Sequence, residues 1–369
     1  MRGMAVSMIQ NGISTLTGHL QIHSRGYRND PAIENRITAP EVIENALEKV
    51  LPKTAKWTFR VRVNAVASNA RHSSGVTLLG IDPTREALVS FIGTSISSGH
   101  YLQKDDYRGI IIGEALLDKF NTKIGHKLVI MSQDADHEIA SRAFRIVGTF
   151  QAEMEGTEKQ YVFVTRQAAQ KMLKLGESIS EVSVLLAEAS QHETIAENLK
   201  ATLPADQYEV NTWSEILPFV KAYLQLFDGF VYIWYLVVFI AMSFGIVNTT
   251  LMAVFERIRE FGLLKALGMK PWWIIRGVLT ESFIMLMMGM IAANALAFLS
   301  IWALSDGIDL SAFAKGVEFA GMTRIIYPVL TLRDWLNGNL IVLLLGLAVC
   351  IYPAAKAARF RPVEALAHT

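Results

Sequence analysis

Cysteine is nearly absent from this chain: Cys350 is the only one among 369 residues. An intrachain disulfide needs two cysteines, so a disulfide framework is excluded. The pattern G-x-x-x-x-G-K-[ST] does not occur either, which excludes the loop that cradles nucleotide phosphates in P-loop ATPases. The net charge is only +1, and no basic stripe is interleaved with aromatic residues, so nucleic acid is not an expected partner.

Charge is missing from three long stretches in the second half of the chain. Residues 229–255 contain no charged side chain, residues 277–305 contain only Glu281, and residues 335–355 contain none. A helix of 27 residues rises about 40 Å, which exceeds the roughly 30 Å of a hydrocarbon core. The sequence therefore predicts three membrane spans, at about 229–255, 277–305 and 335–355.

The charges between these stretches predict their direction across the membrane. Residues 256–276 hold five Lys or Arg against two Glu, and the tail after residue 355 is also basic, whereas residues 306–334 hold three basic and four acidic side chains. Basic loops remain on the cytoplasmic side. We therefore expect the segment after the first span and the tail to face the cytoplasm, and the loop between the other two spans to face outward.

The region before the first span reads as a soluble α+β domain, although the whole chain is 51% hydrophobic with a mean hydropathy of +0.30. Since the following span ends in a cytoplasmic loop, residues 1–228 should lie outside the cytoplasm. Residues 1–20 show no continuous apolar core with a basic start. We therefore expect a further span before Met1, with an amphipathic helix at the start of this chain.

Strand and helix periods alternate within this outer region. Strand patterns predict a sheet that begins near residue 59, and the segments between about 110 and 160 predict a small inserted β-rich subdomain. After residue 161 strands alternate with helices at 166–175 and 191–203. From Trp213 a helical pattern continues into the first span despite Pro218, and is typical of a stalk.

Two stretches of the second half carry a specific family resemblance. Residues 248–271, NTTLMAVFERIREFGLLKALGMKP, and 352–366, YPAAKAARFRPVEAL, resemble the membrane domain of the MacB/FtsX/LolC–LolE family of ABC transporter permeases. In the outer region GIDP at 80–83 and GEALL at 113–117 are similar to recurrent elements of that family, and TGHLQIH at 17–23 resembles its LolE-like branch. Family members have four spans, so the resemblance also implies one span before Met1.

The resemblance implies a fold and a mechanical role. The fold would be a porter-like α+β extracytoplasmic domain over residues 1–228, joined by a stalk helix to an all-α domain of three membrane helices over residues 229–369. The chain would be a permease subunit of the bacterial inner membrane without an ATPase motif of its own. Its partners would be a cytoplasmic ABC ATPase that binds the ATP, a second permease copy or a related permease, membrane lipids, and a lipoprotein or periplasmic adaptor.

Two functions remain open at this point. The first is release or export of a lipidated or amphipathic cargo, favoured by the LolE-like stretch. The alternative is a signalling or scaffold subunit of FtsX type that activates a periplasmic hydrolase or sensor. The size of the outer region favours the first.

The segment after the first span is the expected contact with the ATPase. Ile258, Phe261, Leu264 and Leu267 can pack on one side, which leaves Arg257, Glu260 and Lys265 available to a partner. Gly268 and Pro271 would end the helix. The resemblance assigns coupling to the following residues: Glu256, Arg257, Glu260, Phe261, Leu264, Lys265 and Gly268. From the pattern alone, an amphipathic helix resting on the membrane, whose charges only set topology, is an equal alternative.

Other polar residues are weaker candidates for a site. Glu281 lies five residues past Arg276, where it can reach headgroup water or pair with a basic side chain, so a structural role is favoured over proton coupling. Asn248 suits contacts between helices. The face formed by His19, Gln21 and His23, and the acidic cluster at residues 134–138, resemble metal sites, yet a solvated strand and a hairpin tip are the favoured interpretations. We assign no cofactor, no metal and no catalytic group.

Overall fold

The computed structural model describes residues 9, 12–309 and 325–360. Contacts divide the chain into two compact units, which we describe separately. The outer unit comprises Met4–Ala222 and Asp309–Ile326, and the membrane unit comprises Tyr223–Ile308 and the chain from Tyr327 onward. The predicted boundary at residue 228 lies inside a long helix and stays a prediction.

A ten-stranded mixed sheet forms the outer unit. Its order is β10-β1-β9-β2-β3-β8-β5-β7-β4, and β6 pairs with both β2 and β7. The pairs β3·β8 and β5·β7 are parallel, and the other pairs are antiparallel. The strands are β1 Leu20–Ser24, β2 Lys56–Ser68, β3 Ser73–Ile81, β4 Ile96–Gly99, β5 Gly109–Gly113, β6 Lys127–Gln133, β7 Ile139–Phe150, β8 Tyr161–Thr165, β9 Glu181–Leu185 and β10 Tyr208–Thr212.

Short helices cover this sheet. They are Pro40–Val50, Pro83–Glu86, Glu114–Lys119, Glu155–Gln160, Arg166–Met172, His192–Thr202 and Trp213–Ile216. The predicted strands and helices between residues 59 and 212 recur with ends shifted by a few residues. The strands of the inserted subdomain, β5 to β7, hydrogen-bond into the same sheet through β8 and β2.

Besides a smaller cluster around Phe150 and Phe163, two larger apolar cores of the described residues lie against different parts of the sheet. One packs β1, β9 and β10 against the amphipathic helices Pro40–Val50 and His192–Thr202. The other packs β2, β3, β5 and β8 against Arg166–Met172. Gly80 permits that second contact, because a Cβ at this position would lie 2.5 Å from the Cβ of Ala169.

The membrane unit contains three helices long and apolar enough to cross a bilayer, at Gly229–Glu256, Pro271–Ala303 and Leu332–Arg359. They confirm the three predicted spans. We call them the first, second and third membrane helices. The first is the end of a 39-residue helix, Pro218–Glu256, as expected for a stalk that continues into a span. Two further strands of two residues each lie at Ile308–Asp309 and Ile325–Ile326.

The stalk helix begins later than the sequence pattern predicts. Trp213–Ile216 forms a separate turn, and Leu217 leaves helical geometry at φ −114° and ψ 64°. Proline disfavours the α conformation of the residue before it but is well placed at the first position of a helix, so Pro218 restarts the helix. The predicted N-terminal amphipathic helix lies mostly outside the described residues, and Ile13–Thr17 forms a π-helical turn.

Candidate coupling site at the membrane helices

A short helix follows the first membrane helix, and we call it the coupling helix, Ile258–Ala266. Arg257 separates the two helices with φ −107° and ψ 19°. At the other end the amide of Gly268 donates to the Lys265 carbonyl, and the amide of Met269 donates to the Leu264 carbonyl. This is a Schellman cap, which needs a left-handed residue, and Gly268 has φ +91°. Gly268 therefore ends the helix as predicted.

Phe261 fixes the coupling helix to the membrane helices by apolar packing. Its side chain is 8% exposed and belongs to a cluster that includes Val254 of the first membrane helix, Ile274 and Val278 of the second, and Ala354 of the third. Leu264 packs at the edge of this cluster. Full burial of a phenylalanine contributes about 1.5–3 kcal/mol, so this contact holds the segment in place.

Lys265 forms a second attachment, to the end of the third membrane helix. Its Nζ donates to the carbonyl oxygens of Ala358, at 2.9 Å, and Phe360, at 2.7 Å. The last carbonyls of a helix lack intrahelical partners and carry partial negative charge, so an ammonium group stabilises them. The sequence suggested that Lys265 would be available to a partner, but its side chain is engaged within this subunit.

Arg257 forms the third attachment and accounts for Glu281. One nitrogen donates to Glu260 Oε2 at 2.8 Å, and another lies 3.0 Å from Glu281 Oε2 on the second membrane helix. The hydrogen bond to Glu260 raises the pKa of Arg257. The one charged residue of the predicted span thus pairs with a basic residue of the segment that follows the first membrane helix, and its structural role stays a prediction.

The exposed face of the coupling helix differs from the predicted one. Leu267 was expected to pack beside Phe261, but it is 78% exposed, and Leu263 is 54% exposed. Glu260, Leu263 and Leu267 are spaced i, i+3 and i+7, which places them on one face. We call these three residues the docking stripe. Glu256, at the end of the first membrane helix, is also exposed.

An amide cluster between the second and third membrane helices was not anticipated. Asn294 Oδ1 accepts from Trp335 Nε1 at 2.6 Å, and Asn294 Nδ2 donates to Asn339 Oδ1 at 2.7 Å. The sequence offered Asn248 as the intramembrane polar residue, but its side chain is exposed. Two asparagines 45 positions apart give no periodic signal, although two amides inside predicted spans could have drawn attention.

This amide cluster borders a cavity of about 360 Å³ between the three membrane helices. Apart from the cluster and Asp334, the walls are almost entirely apolar. They come from the following residues: Tyr235, Val238, Phe239, Met242, Ile246, Met290, Ala293, Ala297, Gly338, Ile341 and Val342. A cavity of this kind suits a hydrocarbon chain with a polar group at one end.

The two patterns that resembled metal sites adopt different environments. Residues 134–138 form a hairpin tip, as expected, and Lys174 Nζ lies 2.9 Å from Asp134 and 3.0 Å from both Asp136 and Glu138. The face of β1 is buried, so the interpretation as a solvated strand is wrong. The described ranges contain no group of three or more His, Cys, Asp or Glu side chains that could hold a metal ion.

Comparison with known proteins matches both units. The MacB-like periplasmic core domain matches residues 1–202, more than half of the chain, and the FtsX-like permease C-terminal domain matches residues 232–362. The lipoprotein-releasing system transmembrane protein LolC of Neisseria meningitidis serogroup B is 20% identical over 82% of this chain and 75% of that protein. The lipoprotein-releasing system transmembrane protein LolE of Haemophilus influenzae is 21% identical over 83% of this chain and 76% of that protein.

The pyoverdine export ATP-binding/permease protein PvdT of Pseudomonas aeruginosa is 26% identical over 64% of this chain. The matched part covers 30% of PvdT. Among solved structures, the periplasmic region of MacB from Actinobacillus actinomycetemcomitans aligns with 57% of this chain and 95% of that chain, at 15% identity and a TM-score of 0.39. Members of this family generally work with a cytoplasmic ATPase subunit. Since the two family domains together account for both units, this chain belongs to the MacB/FtsX/LolC family of ABC transporter permeases and is an inner-membrane protein.

Proposed function

We propose that this chain is a permease subunit that transmits the ATP-driven motion of a cytoplasmic ATPase to its outer unit, acting with a second copy or a related permease. The attachment of the coupling helix carries this proposal. Phe261, Lys265 and Arg257 fix the helix to the membrane helices by three independent contacts. A force applied to the coupling helix therefore acts on the membrane helices, the first of which continues into the stalk.

The docking stripe is the surface that we assign to the ATPase. Leu263 and Leu267 present apolar side chains beside Glu260 on the face that does not pack against the membrane helices. Apolar residues at the centre of an interface dominate binding, whereas charges at the rim contribute less. The leucines should therefore supply affinity, and Glu260 and Glu256 should orient the partner. Of the predicted coupling residues, Phe261, Leu264, Lys265 and Gly268 then act by positioning the helix.

Substitution of the two leucines tests this assignment. In Leu263→Glu/Leu267→Glu the amount of ATPase that co-purifies with the permease should fall about thirtyfold, as expected when about 2 kcal/mol of binding energy is lost. The matched control is Leu88→Glu, which places the same charge on an exposed leucine of the outer unit. Undiminished co-purification of the double variant, or an equal loss in the control, would refute the docking stripe.

We further propose that the cargo is lipidated or amphipathic. The matches to LolC and LolE support release of lipoproteins, and the apolar cavity between the membrane helices supports a hydrocarbon chain as the bound group. The amide cluster at its edge would face the polar part of such a molecule. The match to PvdT keeps export of another amphipathic molecule within the same proposal.

A pull-down in mild detergent, followed by mass spectrometry of bound proteins and lipids, separates this cargo from the alternative. Acylated proteins or lipids should be enriched with the permease, and Ala293→Trp, which fills the cavity, should remove them. Gly289→Trp offers a control, since this position lies on the same helix but does not border the cavity. A stoichiometric periplasmic hydrolase without acylated molecules would instead establish the signalling or scaffold function.

A further inference from the structure

The polar face of the outer sheet is buried to an unusual degree. β10, β1, β9 and β2 lie side by side, and one face of these strands packs against two helices in an apolar core. The other face carries hydrogen-bonding and charged side chains that are also shielded from solvent. They are His19, Gln21, His23, Thr58, Arg60, Glu181, Ser183 and Asn211.

The register of the strands places these side chains in rows. His23 lies opposite Glu209 on one neighbouring strand and Glu181 on the other, and Gln21 lies opposite Asn211. Several of their buried atoms have no hydrogen-bond partner in the ranges that the structure describes: His23 Nδ1, Thr58 Oγ1, Glu209 Oε1 and Asn211 Nδ2. Buried polar atoms are paired in the large majority of cases, so a group of unpaired ones on one face needs an explanation.

A cavity of about 330 Å³ opens on this face. His23 lines it with a residue exposure of only 4%, and its ring stacks on Tyr27 at a centroid distance of 5.0 Å. Gln21, Arg28, Arg62 and Asn64 also line it, whereas no carboxylate from the described part of the chain does. The walls therefore present two guanidinium groups, an imidazole and two amides to whatever enters.

The two guanidinium groups retain hydrogen-bonding capacity. Arg28 donates to Asn211 Oδ1 at 3.3 Å and to the Glu215 carbonyl, and one nitrogen of Arg62 lies 3.5 Å from Glu181 Oε2. A guanidinium carries five N–H donors, so several remain for a ligand. Arg60 pairs with Glu86 as well as Glu181, so the charges of Arg60, Arg62, Glu86 and Glu181 balance. Arg62 therefore offers N–H donors, and Arg28 supplies the positive charge left for a ligand.

We propose that this pocket binds a phosphate ester. Guanidinium groups recognise phosphate oxygens with paired N–H donors, and the imidazole Nδ1 of His23 adds a donor when that nitrogen carries a hydrogen. The cavity exceeds the size of the phosphate group alone and lies within the range of small-molecule sites, so the ester carries a small polar body. The same chemistry is offered by a soluble phosphate ester and by a phospholipid headgroup. This inference does not depend on the proposed cargo.

Calorimetric titration of the full chain in neutral detergent with sn-glycerol 3-phosphate tests the proposal. We expect saturable binding at one site with a Kd on the order of millimolar, and at least a tenfold loss in Arg62→Gln and in Arg28→Gln. Arg25→Gln is the matched control, because Arg25 is exposed, bonds the Ala205 carbonyl and does not line the cavity. Glycerol, which lacks the phosphate, should give no saturable signal.

Nanodiscs distinguish the two sources of the ester. If the ligand is a lipid headgroup, amide exchange in β1 and β2 should slow in phosphatidylglycerol discs relative to the chain in a neutral detergent without phosphate, and Arg62→Gln should abolish the difference. If it is soluble, only added sn-glycerol 3-phosphate should slow exchange. The proposal is wrong if neither probe binds in a saturable way, or if the Arg25→Gln control loses binding as much as the two pocket variants, which would indicate general surface charge.

Discussion

Replacement of Arg60 by Met should destabilise the outer unit by about 3–5 kcal/mol, the usual cost of leaving buried partner charges uncompensated. Arg60 lies in β2 with a fully buried side chain between the carboxylates of Glu86 and Glu181. Its Nη1, which faces Glu181, also donates to the carbonyl of Leu16, in the turn that precedes β1. The guanidinium therefore joins three parts of the outer unit that are distant in sequence.

The geometry sets the size of this effect. Arg60 donates twice from Nε to Glu86, at 3.2 and 3.0 Å, once from Nη2 to Glu86 at 2.7 Å, and once from Nη1 to Glu181 at 3.1 Å. Burial alone would lower the pKa of Arg60, but the charges of Glu86 and Glu181 raise it above its usual value. Without Arg60, Glu181 would still have Arg62 as an ion-pair partner at 3.5 Å. Among the described residues, Glu86 forms an ion pair with Arg60 alone. Most of the loss should therefore come from Glu86.

Amide exchange followed by mass spectrometry measures this loss in the full chain. Sheet amides that exchange by opening of the outer unit should exchange about 10² to 4 × 10³ times faster in Arg60→Met, since each 1.4 kcal/mol corresponds to about a factor of ten. Lys159→Met is the control: it removes an exposed pair with Glu155 at 2.6 Å, which should change stability by less than about 1 kcal/mol.

A second substitution separates charge from packing. If the stranded carboxylate causes the loss, Arg60→Met/Glu86→Leu should recover most of it, because a buried ion pair can be replaced by apolar side chains at little cost. If the double variant is as unstable as the single one, packing volume and not charge determines the effect. A change below about 1 kcal/mol in Arg60→Met itself would refute the argument.

Three further outcomes follow from the geometry. Burial lowers the pKa of His19, whose Nδ1 accepts a hydrogen bond from the Leu186 amide. Protonation of His19 should therefore reduce the stability of the outer unit as pH falls below about 6.5. His19→Asn should flatten that part of a pH–stability profile. Gly268→Ala should speed exchange of the coupling-helix amides about five- to thirtyfold, as a left-handed residue costs roughly 1–2 kcal/mol, while Gly277→Ala should not. Asn294→Leu should destabilise the membrane unit by roughly 0.6–1.7 kcal/mol in a detergent unfolding assay, whereas Asn248→Leu should change it little.

The local sequence pattern was sufficient to predict the membrane helices and most of the strands. Twenty uncharged residues in succession have few alternatives to a span, and β2 and β3 show β-branched residues with turn residues at their ends. The ends of elements were harder to predict, because capping decides them. At Leu217 the following proline outweighed a helical pattern that extended on both sides.

The sites depend on contacts that no local pattern contains. The two polar attachments of the coupling helix join residues 24 to 95 positions apart, so Lys265 could not be distinguished from a solvated lysine by its neighbours in sequence. For the same reason alternation in β1 correctly placed His19, Gln21 and His23 on one face but could not show that the face is buried. Burial there depends on pairing with β9 and β10, about 160 and 190 residues further along the chain.

The attachments of the coupling helix also bear on how motion could pass through the membrane unit. Lys265 makes two charge-assisted hydrogen bonds, each worth about 1.5–3 kcal/mol, and Phe261 adds the burial of an aromatic ring. Release of the helix from the membrane helices would therefore require breaking several contacts at once. The Arg257–Glu281 pair should oppose such a displacement less than the Lys265 and Phe261 contacts do, because both of its side chains are about half exposed. Rigid movement of the coupling helix with the third membrane helix, while the Arg257 contact adjusts, is the motion that these energies favour.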